Sequence, residues 1–286
     1  MSAVSVFIAG PASWNSIVVL DRLPEPVPHM QFAEETWDTV GGTSAGKALS
    51  LTSLGRSVLL YALAGSDEHG GRVRAALADA GVPTRWGGAE VTERHLNLMT
   101  RQGGRVSLYL ASPSATDGAD DDELRSAMAA ADAIVLDLAA EPLRLLPTAL
   151  ETGRPIWVDV HDYDGEAEFH RPFLEAADAV FCNADRLDDP VAFLRSCITA
   201  GATLAVCTLG ADGAVAVDAE GAEHRVGAVP VEVVDTNGAG DAFLAGVLDA
   251  SLSGASVSDA LAAGARSASS VLGTRHLNPL LDSVLG

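Results

Sequence analysis

The chain has 286 residues, of which 48% are hydrophobic and 20% charged, the composition of an ordinary soluble globular protein. Its formal net charge is −21, from 39 acidic and 18 basic residues, so it lacks the basic surface with which proteins bind nucleic acids or anionic membranes. No apolar run reaches the roughly 18 residues of a membrane span and no signal peptide is recognisable, so we expect a cytoplasmic protein.

Strand and helix patterns alternate along most of the chain. Short apolar runs are separated by segments in which apolar residues recur every three or four positions. Strands that are apolar throughout and separated by helices indicate a mostly parallel sheet covered on both faces, here in one α/β domain spanning residues 1–286. In chain order we predict strand 4–9, helix 45–54, strand 58–64, helix 73–80, helix 124–131, strand 133–138, helix 143–150, strand 156–160, a helix near residue 173, strand 179–182, helix 191–199 and strand 203–208.

Two regions, residues 14–40 and 92–110, interrupt this alternation. The second has the pattern of a β-hairpin, with strands at 95–100 and 106–110 joined by a turn at 101–104. The first contains strand-like pieces around a proline-rich segment. We expect the two regions to form a small β lid over one end of the main sheet. An exposed sheet of this kind could pair with a second copy of the chain and form a homodimer.

Residues 40–49, VGGTSAGKAL, nearly match the phosphate-binding P-loop G-x-x-x-x-G-K-[ST]. However, Ala48 replaces the hydroxyl residue that would bind Mg²⁺. A P-loop also follows a buried apolar strand, whereas residues 32–40, FAEETWDTV, are polar and alternating. These glycines therefore indicate a different kind of loop. Lys47 is then either a solvated helix lysine or a substrate contact, and the sequence leaves both interpretations open.

A second glycine loop, DTNGAGD, occupies residues 235–241, between a predicted apolar strand at 231–234 and a predicted helix with an apolar face at 243–248. Its glycines let the backbone approach a ligand, and the free amides at a helix start attract anions. Asp241 should stay ionised beside the helix dipole, so it could accept the proton of an attacking hydroxyl during phosphoryl transfer. Alternatively, Asp241 only caps the helix and the glycines only make a tight turn.

Residues 235–243, DTNGAGDAF, closely resemble the D-T-x-G-A-G-D signature of the ribokinase-like (PfkB) carbohydrate kinases. The resemblance covers the whole chain in the family's order, since residues 41–55, 65–70 and 208–213 match further family motifs. It implies a ribokinase-like three-layer α/β/α fold with a small β lid. It also implies a kinase that transfers the γ-phosphoryl group of ATP to a hydroxyl of a small sugar or sugar-like substrate, with Mg²⁺ and, in many members, a monovalent cation such as K⁺.

The resemblance also implies roles for individual residues. Asp241 becomes the catalytic base, and the amides of Gly238, Ala239 and Gly240 form an anion hole for the transferring phosphoryl group. The residues implied for the acceptor are Asn15, Gly41 and Gly42, with Lys47 as the open alternative above. Those implied for the nucleotide are Asn183, Thr208, Gly210, Gly213 and Asn278. Asp235 and Asn237 are implied for a monovalent cation, unless Asp235 only bonds the amides of its own turn.

Three positions depart from the family pattern. Asn15 stands where the sugar kinases usually carry Asp, and Gly46 stands where a sugar-contacting Asn is usual, so both changes argue against ribose as the acceptor. The Glu of the family's N-x-x-E, which helps to organise hydrated Mg²⁺, is replaced by Arg186, and Asp185 lies one residue early. Loss of this Glu need not abolish Mg²⁺ binding, because the nucleotide phosphates supply most of the metal's ligands.

Other functions and site residues remain open. A nucleoside kinase of the same fold would need an aromatic bed for the base, which Trp14 and Trp37 could provide if they do not simply pack the lid. A sensor that binds sugar or nucleotide without turnover would fit the departures above. Asp159, His161 and Asp162 could help to bind the acceptor or the nucleotide, or could form only a capped loop. A Rossmann oxidoreductase is disfavoured, since no G-x-G-x-x-G follows the first strand.

Overall fold

The computed structural model describes residues 5–286. Residue 4, the first of the predicted strand 4–9, lies outside this range. The strands, in chain order, are β1 Val6–Ala9, β2 Ser13–Leu20, β3 Glu35–Gly41, β4 Val58–Ala64, β5 Thr84–Gly88, β6 Arg94–Thr100, β7 Arg105–Ala111, β8 Ala133–Asp137, β9 Ile156–Asp159, β10 Ala179–Asn183, β11 Leu204–Thr208, β12 Ala214–Asp218 and β13 Glu223–Val226.

The helices confirm the predicted alternation, with ends that shift by a few residues. None of those in residues 5–286 is both long and apolar enough to cross a membrane. They are α1 Thr43–Ser53, α2 Glu68–Asp79, α3 Asp121–Ala130, α4 Ala140–Glu151, α5 Arg171–Ala176, α6 Pro190–Ala200, α7 Ala239–Leu252, α8 Val257–Leu272 and α9 Asp282–Leu285.

The main sheet, as far as residues 5–286 show it, has nine strands in the order β13-β12-β11-β10-β9-β8-β1-β4-β5. From β5 to β11 the neighbouring strands run parallel, and β12 and β13 continue the sheet as an antiparallel edge. The chain builds outward from β1 in one direction through β4 and then in the other through β8. In such sheets ligands bind outside the carboxyl ends of the strands, near the point where the strand order reverses.

Helices cover both faces of the main sheet and enclose two hydrophobic cores. Val6 and Ile8 of β1 pack into one core, and Phe7 and Ala9 into the other. This explains why the central strands are apolar throughout, because both faces of the sheet are buried. The result is the expected three-layer α/β/α fold. Helix residues packed on the first core include Leu49, Leu77, Leu244 and Leu261, and those on the second include Leu124, Leu145, Phe173 and Leu194.

A second sheet, called here the lid sheet, consists of β2, β3, β6 and β7 in the order β3-β2-β6-β7. It is built from the two regions that interrupt the sequence alternation, and the predicted hairpin is confirmed as the antiparallel pair β6–β7. Strands β2 and β6 are parallel neighbours at its centre. Strand β3 leads through Gly42 directly into α1, so the lid sheet is joined to the main domain beside the carboxyl end of β1.

The strand predicted at 231–234 is wrong. This segment is an extended loop in which Val233 and Val234 are exposed. The amides of Val234 and Asp235 donate to the carbonyl of Leu272, at the end of α8, at 2.8 and 3.4 Å. The main sheet already ends at β13, and the segment leaves that edge to reach the end of α8. Its apolar composition therefore reflects neither sheet pairing nor burial.

Candidate active site

A cleft of about 1210 Å³ lies between the carboxyl ends of the main-sheet strands and the lid sheet. Most of the positions implied by the resemblance meet in it, although they come from five separate parts of the chain. Lys47, Ala239, Gly210, Gly213 and Asn278 do not line it. The implied positions that do line it are Asn15, Gly41, Gly42, Asn183, Thr208, Asp235, Asn237, Gly238, Gly240 and Asp241.

The glycine loop at the start of α7 presents free amides to the cleft. Gly238 is the N-cap of α7 and has φ 79, a left-handed conformation that glycine adopts at little cost. The amide of Ala239 donates to Thr236 at 3.4 Å, and Ala239 does not line the cleft. The amides of Gly240 and Asp241 belong to the first helical turn, where no intrahelical acceptor exists. Of the three residues whose amides are expected to form the anion hole, Gly238 and Gly240 line the cleft and Ala239 does not.

Asp241 is the third residue of α7, so it is not the N-cap. Its carboxylate is buried at the floor of the cleft, and Oδ1 accepts a hydrogen bond from Lys47 Nζ at 2.7 Å. Both sequence interpretations of Lys47 are wrong, because its side chain is 0% exposed and does not line the cleft. Lys47 Nζ also lies 2.9 Å from Asp137 Oδ1 and 3.3 Å from Asp159 Oδ2.

This arrangement sets the charge of the Asp241 carboxylate. Burial raises the pKa of Asp241 to about 6; the Lys47 ammonium pulls this pKa down, while Asp137 and Asp159 push it up. Burial alone would lower the pKa of Lys47, but the three carboxylates outweigh it and raise that pKa above its usual value, so the ammonium stays charged. Asp241 is thus ionised at neutral pH, as expected, but protonates near pH 6. A pKa close to the working pH suits a general base.

The glycines of the first loop make room for neighbouring polar groups. A Cβ on Gly46 would lie 2.7 Å from Asp241 Oδ2, and one on Gly41 would lie 2.0 Å from Asn15 Nδ2. Gly46, which replaces the family's usual Asn, therefore lets α1 lie directly against the Asp241 carboxylate. The Oδ1 atom of Asn15 accepts from Ser13 at 2.8 Å, so the amide group of Asn15 remains available at the cleft.

The lid sheet contributes a polar face to the cleft that the sequence reasoning missed. His95, Asn97, Arg105 and Tyr109 all line it. Asn97 is 5% exposed, and its Oδ1 has no hydrogen-bond partner in residues 5–286. Arg105 reaches across the cleft and donates to Asn237 Oδ1 at 2.9 Å. The two-residue alternation of the predicted hairpin could have placed these side chains on one face.

The nucleotide positions divide into two sets. Asn183 and Thr208 line the cleft where it continues into a smaller hollow of about 430 Å³, which Gly210 also lines. Gly213 lines neither space, and a Cβ there would lie 2.0 Å from the Val226 carbonyl, so it serves the turn into β12. Asn278 is 2% exposed and its side chain accepts from the amide of Leu280. The expected nucleotide contacts of Gly213 and Asn278 are therefore corrected to structural roles.

The polar segment at the end of β9 fits both interpretations left open above, since its side chains reach the cleft and its loop is capped. Asp159, His161 and Asp162 line the cleft. The amide of His161 also donates to Asp159 Oδ1 at 3.0 Å, with His161 at φ 52, so the loop is capped as well. Burial would raise the pKa of Asp159, but His161 and Lys47 lower it below its usual range.

The two tryptophans of the lid sheet do not form a bed for a nucleobase. Neither lines the cleft. Arg72 stacks over the ring of Trp14 with 5.5 Å to the centroid, and Trp37 Nε1 donates to the Arg275 carbonyl at 3.1 Å. Both rings therefore pack the lid sheet, which removes the sequence argument for a nucleoside acceptor.

The candidate monovalent-cation residues lie at the end of the glycine loop. Asp235 accepts from the amide of Asn237 at 2.8 Å, as its structural alternative predicts. The side chain of Asn237 lies between Arg105 and Met99. Within residues 5–286, no group of three or more His, Cys, Asp or Glu side chains is arranged to hold a metal ion.

The chain is similar to known carbohydrate kinases. Residues 17–282 match the family model described as pfkB family carbohydrate kinase. The chain is 33% identical over 280 residues to the acarbose 7(IV)-phosphotransferase of Actinoplanes sp., a match covering 91% of this chain and 89% of that protein. The structure resembles the microbiome-derived acarbose kinase Mak1, with a TM-score of 0.84 and 28% identity over 100% of this chain and 99% of the other. The ribokinase of Thermotoga maritima shares the fold, with a TM-score of 0.80 and 14% identity over 99% of each chain.

Proposed function

Because this chain belongs to the pfkB family of carbohydrate kinases, and is therefore an ATP-dependent sugar kinase, we propose that its acceptor is acarbose or a glycoside of similar size. The observation that carries the catalytic part of this proposal is the Asp241 carboxylate. It lies at the floor of the cleft, beside Gly238 and Gly240 of the glycine loop, with one oxygen held by Lys47.

In the proposed reaction Asp241 is the general base. The acceptor hydroxyl oxygen attacks the γ-phosphorus of ATP, its proton passes to Asp241 Oδ2, and the bond from the γ-phosphorus to the bridging oxygen breaks to release ADP. The amides of Gly238 and Gly240, with that of Asp241 in the first turn of α7, stabilise the charge on the transferring group. Asn183 and Asp185 line both the cleft and the smaller hollow beside it. There they would face Mg²⁺ carried on the ATP phosphates.

Three features support an acceptor larger than ribose. The cleft of about 1210 Å³ exceeds the roughly 300–1,000 Å³ of a typical small-molecule site, which leaves room for an extended acceptor beside a nucleotide. Asn15 and Gly46 replace two polar contacts usual for ribose. The side chain of Asn97 lines the cleft, where we propose that its amide meets a further hydroxyl. The two acarbose-phosphorylating relatives support the same choice.

Further parts of the proposal concern the whole chain. We propose that residues 1–286 act in the cytoplasm as one domain, with the lid sheet closing over the substrates. We also propose that K⁺ binds near Asp235 and the Asn237 carbonyl, so that activity in KCl should exceed activity in choline chloride.

Strand β7 is exposed along its length at an edge of the lid sheet, and we propose that it pairs with a second copy. Sedimentation should then give a dimer mass.

The acceptor can be tested by following ATP consumption and product mass with acarbose, ribose, fructose and adenosine. We expect a product heavier than acarbose by one phosphoryl group, with little product from ribose or adenosine. Phosphorylation of ribose or adenosine in preference to acarbose would overturn the proposed acceptor. Binding of ATP and acarbose with no product from any compound would instead favour the non-catalytic sensor.

A further inference from the structure

Lys47 is a buried cation, and its burial removes the substrate contact that the sequence had left open. Its ammonium lies within 3.3 Å of three carboxylates, those of Asp241, Asp137 and Asp159. These groups come from α7 and from the ends of β8 and β9, so one side chain of α1 joins three elements at the floor of the cleft. Burying an ion at this depth is costly unless it is paired, and three partners more than satisfy that need.

We propose that Lys47 is a positioning residue for phosphoryl transfer: it holds one oxygen of the Asp241 carboxylate, turns the other toward the acceptor, and keeps the carboxylate ionised. This inference rests on the proposed role of Asp241 as the base. Lys47 itself does not line the cleft, so it acts through Asp241 and not on the substrate.

The neighbouring residue on α1 completes the arrangement. Asp241 Oδ1 accepts the hydrogen bond from Lys47, while Oδ2 makes no hydrogen bond within residues 5–286. Gly46 lies beside Oδ2, so close that a Cβ there would stand 2.7 Å from it. Residues 46 and 47 therefore lie against different oxygens of the Asp241 carboxylate. The lysine fixes one oxygen, and Gly46 has no side chain that would displace the other.

The charges that face Asp241 act in opposite directions. The Lys47 ammonium favours its ionised form, whereas Asp137 and Asp159 disfavour it. Asp137 accepts a 2.5 Å hydrogen bond from Ser44 Oγ and does not line the cleft. His161 lies 3.4 Å from Asp159 through Nδ1 and is the titratable side chain next to this group. Removing a cation and removing an anion from this group should therefore shift the titration of Asp241 in opposite directions.

The test is the pH dependence of kcat for the wild-type enzyme, Asp137→Asn, Lys47→Met and the double variant, with the best acceptor of the panel. Activity requires ionised Asp241, so it falls as pH falls through about 6 in the wild type. We expect the midpoint of this acidic fall in kcat to move to lower pH in Asp137→Asn and to higher pH in Lys47→Met, by about one to two pH units. In the double variant this midpoint should lie close to that of the wild type, with a lower kcat and an almost unchanged acceptor KM.

Titration of the nucleotide is common to all four proteins, so only the displacement between them is informative. Equal midpoints of the acidic fall in Asp137→Asn and the wild type would overturn the inference, even if Lys47→Met fails to fold. Shifts of both single variants in the same direction would also overturn it. An Asp241→Asn variant distinguishes the two levels of the account, because full activity in that variant removes the proposed base itself, and with it the need for a positioning residue.

Discussion

Gly46 of α1 lies against the carboxylate of Asp241 in α7. We predict that Gly46→Ala lowers kcat by about 100-fold, because displacement of a reacting group by about 1 Å has a cost of this order. The matched control is Gly71→Ala in α2, where an added Cβ meets nothing within 4 Å. The control should keep full activity and gain stability, since alanine favours a helix interior. Equal activity of the two variants would show that the Gly46 contact does not matter for catalysis.

Asn97 places an unpaired polar atom in the wall of the cleft. An unsatisfied buried acceptor destabilises a protein by about 1–3 kcal/mol, so its retention suggests a partner in the substrate. We predict that Asn97→Leu leaves the melting temperature unchanged or raises it, while the acceptor KM rises about tenfold. Thermal unfolding and steady-state kinetics measure the two effects, and the KM for ATP serves as the internal control. A fall in stability without a change in acceptor KM would assign Asn97 to folding alone.

At the scale of elements, several hydrogen bonds join the lid sheet to the glycine loop and to the segment that follows α8. Arg105 of β7 donates to Asn237 in the glycine loop, and His276 Nδ1 lies 2.8 Å from Thr39 Oγ1 of β3. The lid sheet therefore contacts the segments on both sides of the start of α7. Closure of the lid sheet and organisation of the glycine loop should be coupled through these bonds.

We predict that Arg105→Ala lowers kcat/KM for the acceptor by about ten- to a hundredfold, since it removes the bond that holds the lid hairpin to the glycine loop. Arg101→Ala is the matched control on the same hairpin, because Arg101 pairs with Glu34 and Glu35 away from the cleft. Steady-state kinetics of both variants decide the matter. Similar losses in the two variants would indicate a general weakening of the lid sheet instead.

Most elements of the main domain could be predicted because each carries its own periodicity. Residues 58–64 are apolar at every position, and they form a strand buried on both faces. Residues 231–234 show where this reasoning fails. Their apolar pattern resembles that of a strand, but pairing needs a neighbour with free backbone groups, and the amide of Val234 donates to the end of α8 instead. The position of such a neighbour is a property of the tertiary fold, not of the segment.

The site was predictable to the extent that it is a local motif. The glycine loop and Asp241 are contiguous in sequence and were found. The partners of Lys47 are Asp137, Asp159 and Asp241, which are distant in the chain and adjacent only after the main sheet has formed. A buried lysine also contradicts the usual preference of that residue for solvent. No local signal distinguishes it from a solvated helix lysine.

At the scale of the whole molecule, the formal charge of −21 should influence stability. Repulsion among like charges opposes the compact state, and salt screens it, with a Debye length of roughly 30 Å at 0.01 M and 10 Å at 0.1 M. We predict that the melting temperature at pH 8 rises between 10 and roughly 300 mM sodium chloride. A fall over this range would mean that surface ion pairs, such as Arg125–Glu151, outweigh the net repulsion.

The most direct test of the central claim compares kcat for Asp241→Asn and Asp249→Asn, both on α7, with saturating ATP and the best acceptor. Asp249 pairs with Arg56 at 2.7 Å, away from the cleft. We predict that Asp241→Asn loses about 10²- to 10⁴-fold in kcat, the usual contribution of a general base, while still binding ATP, and that Asp249→Asn stays close to the wild type. A kcat for Asp241→Asn equal to that of the Asp249 variant would contradict the account.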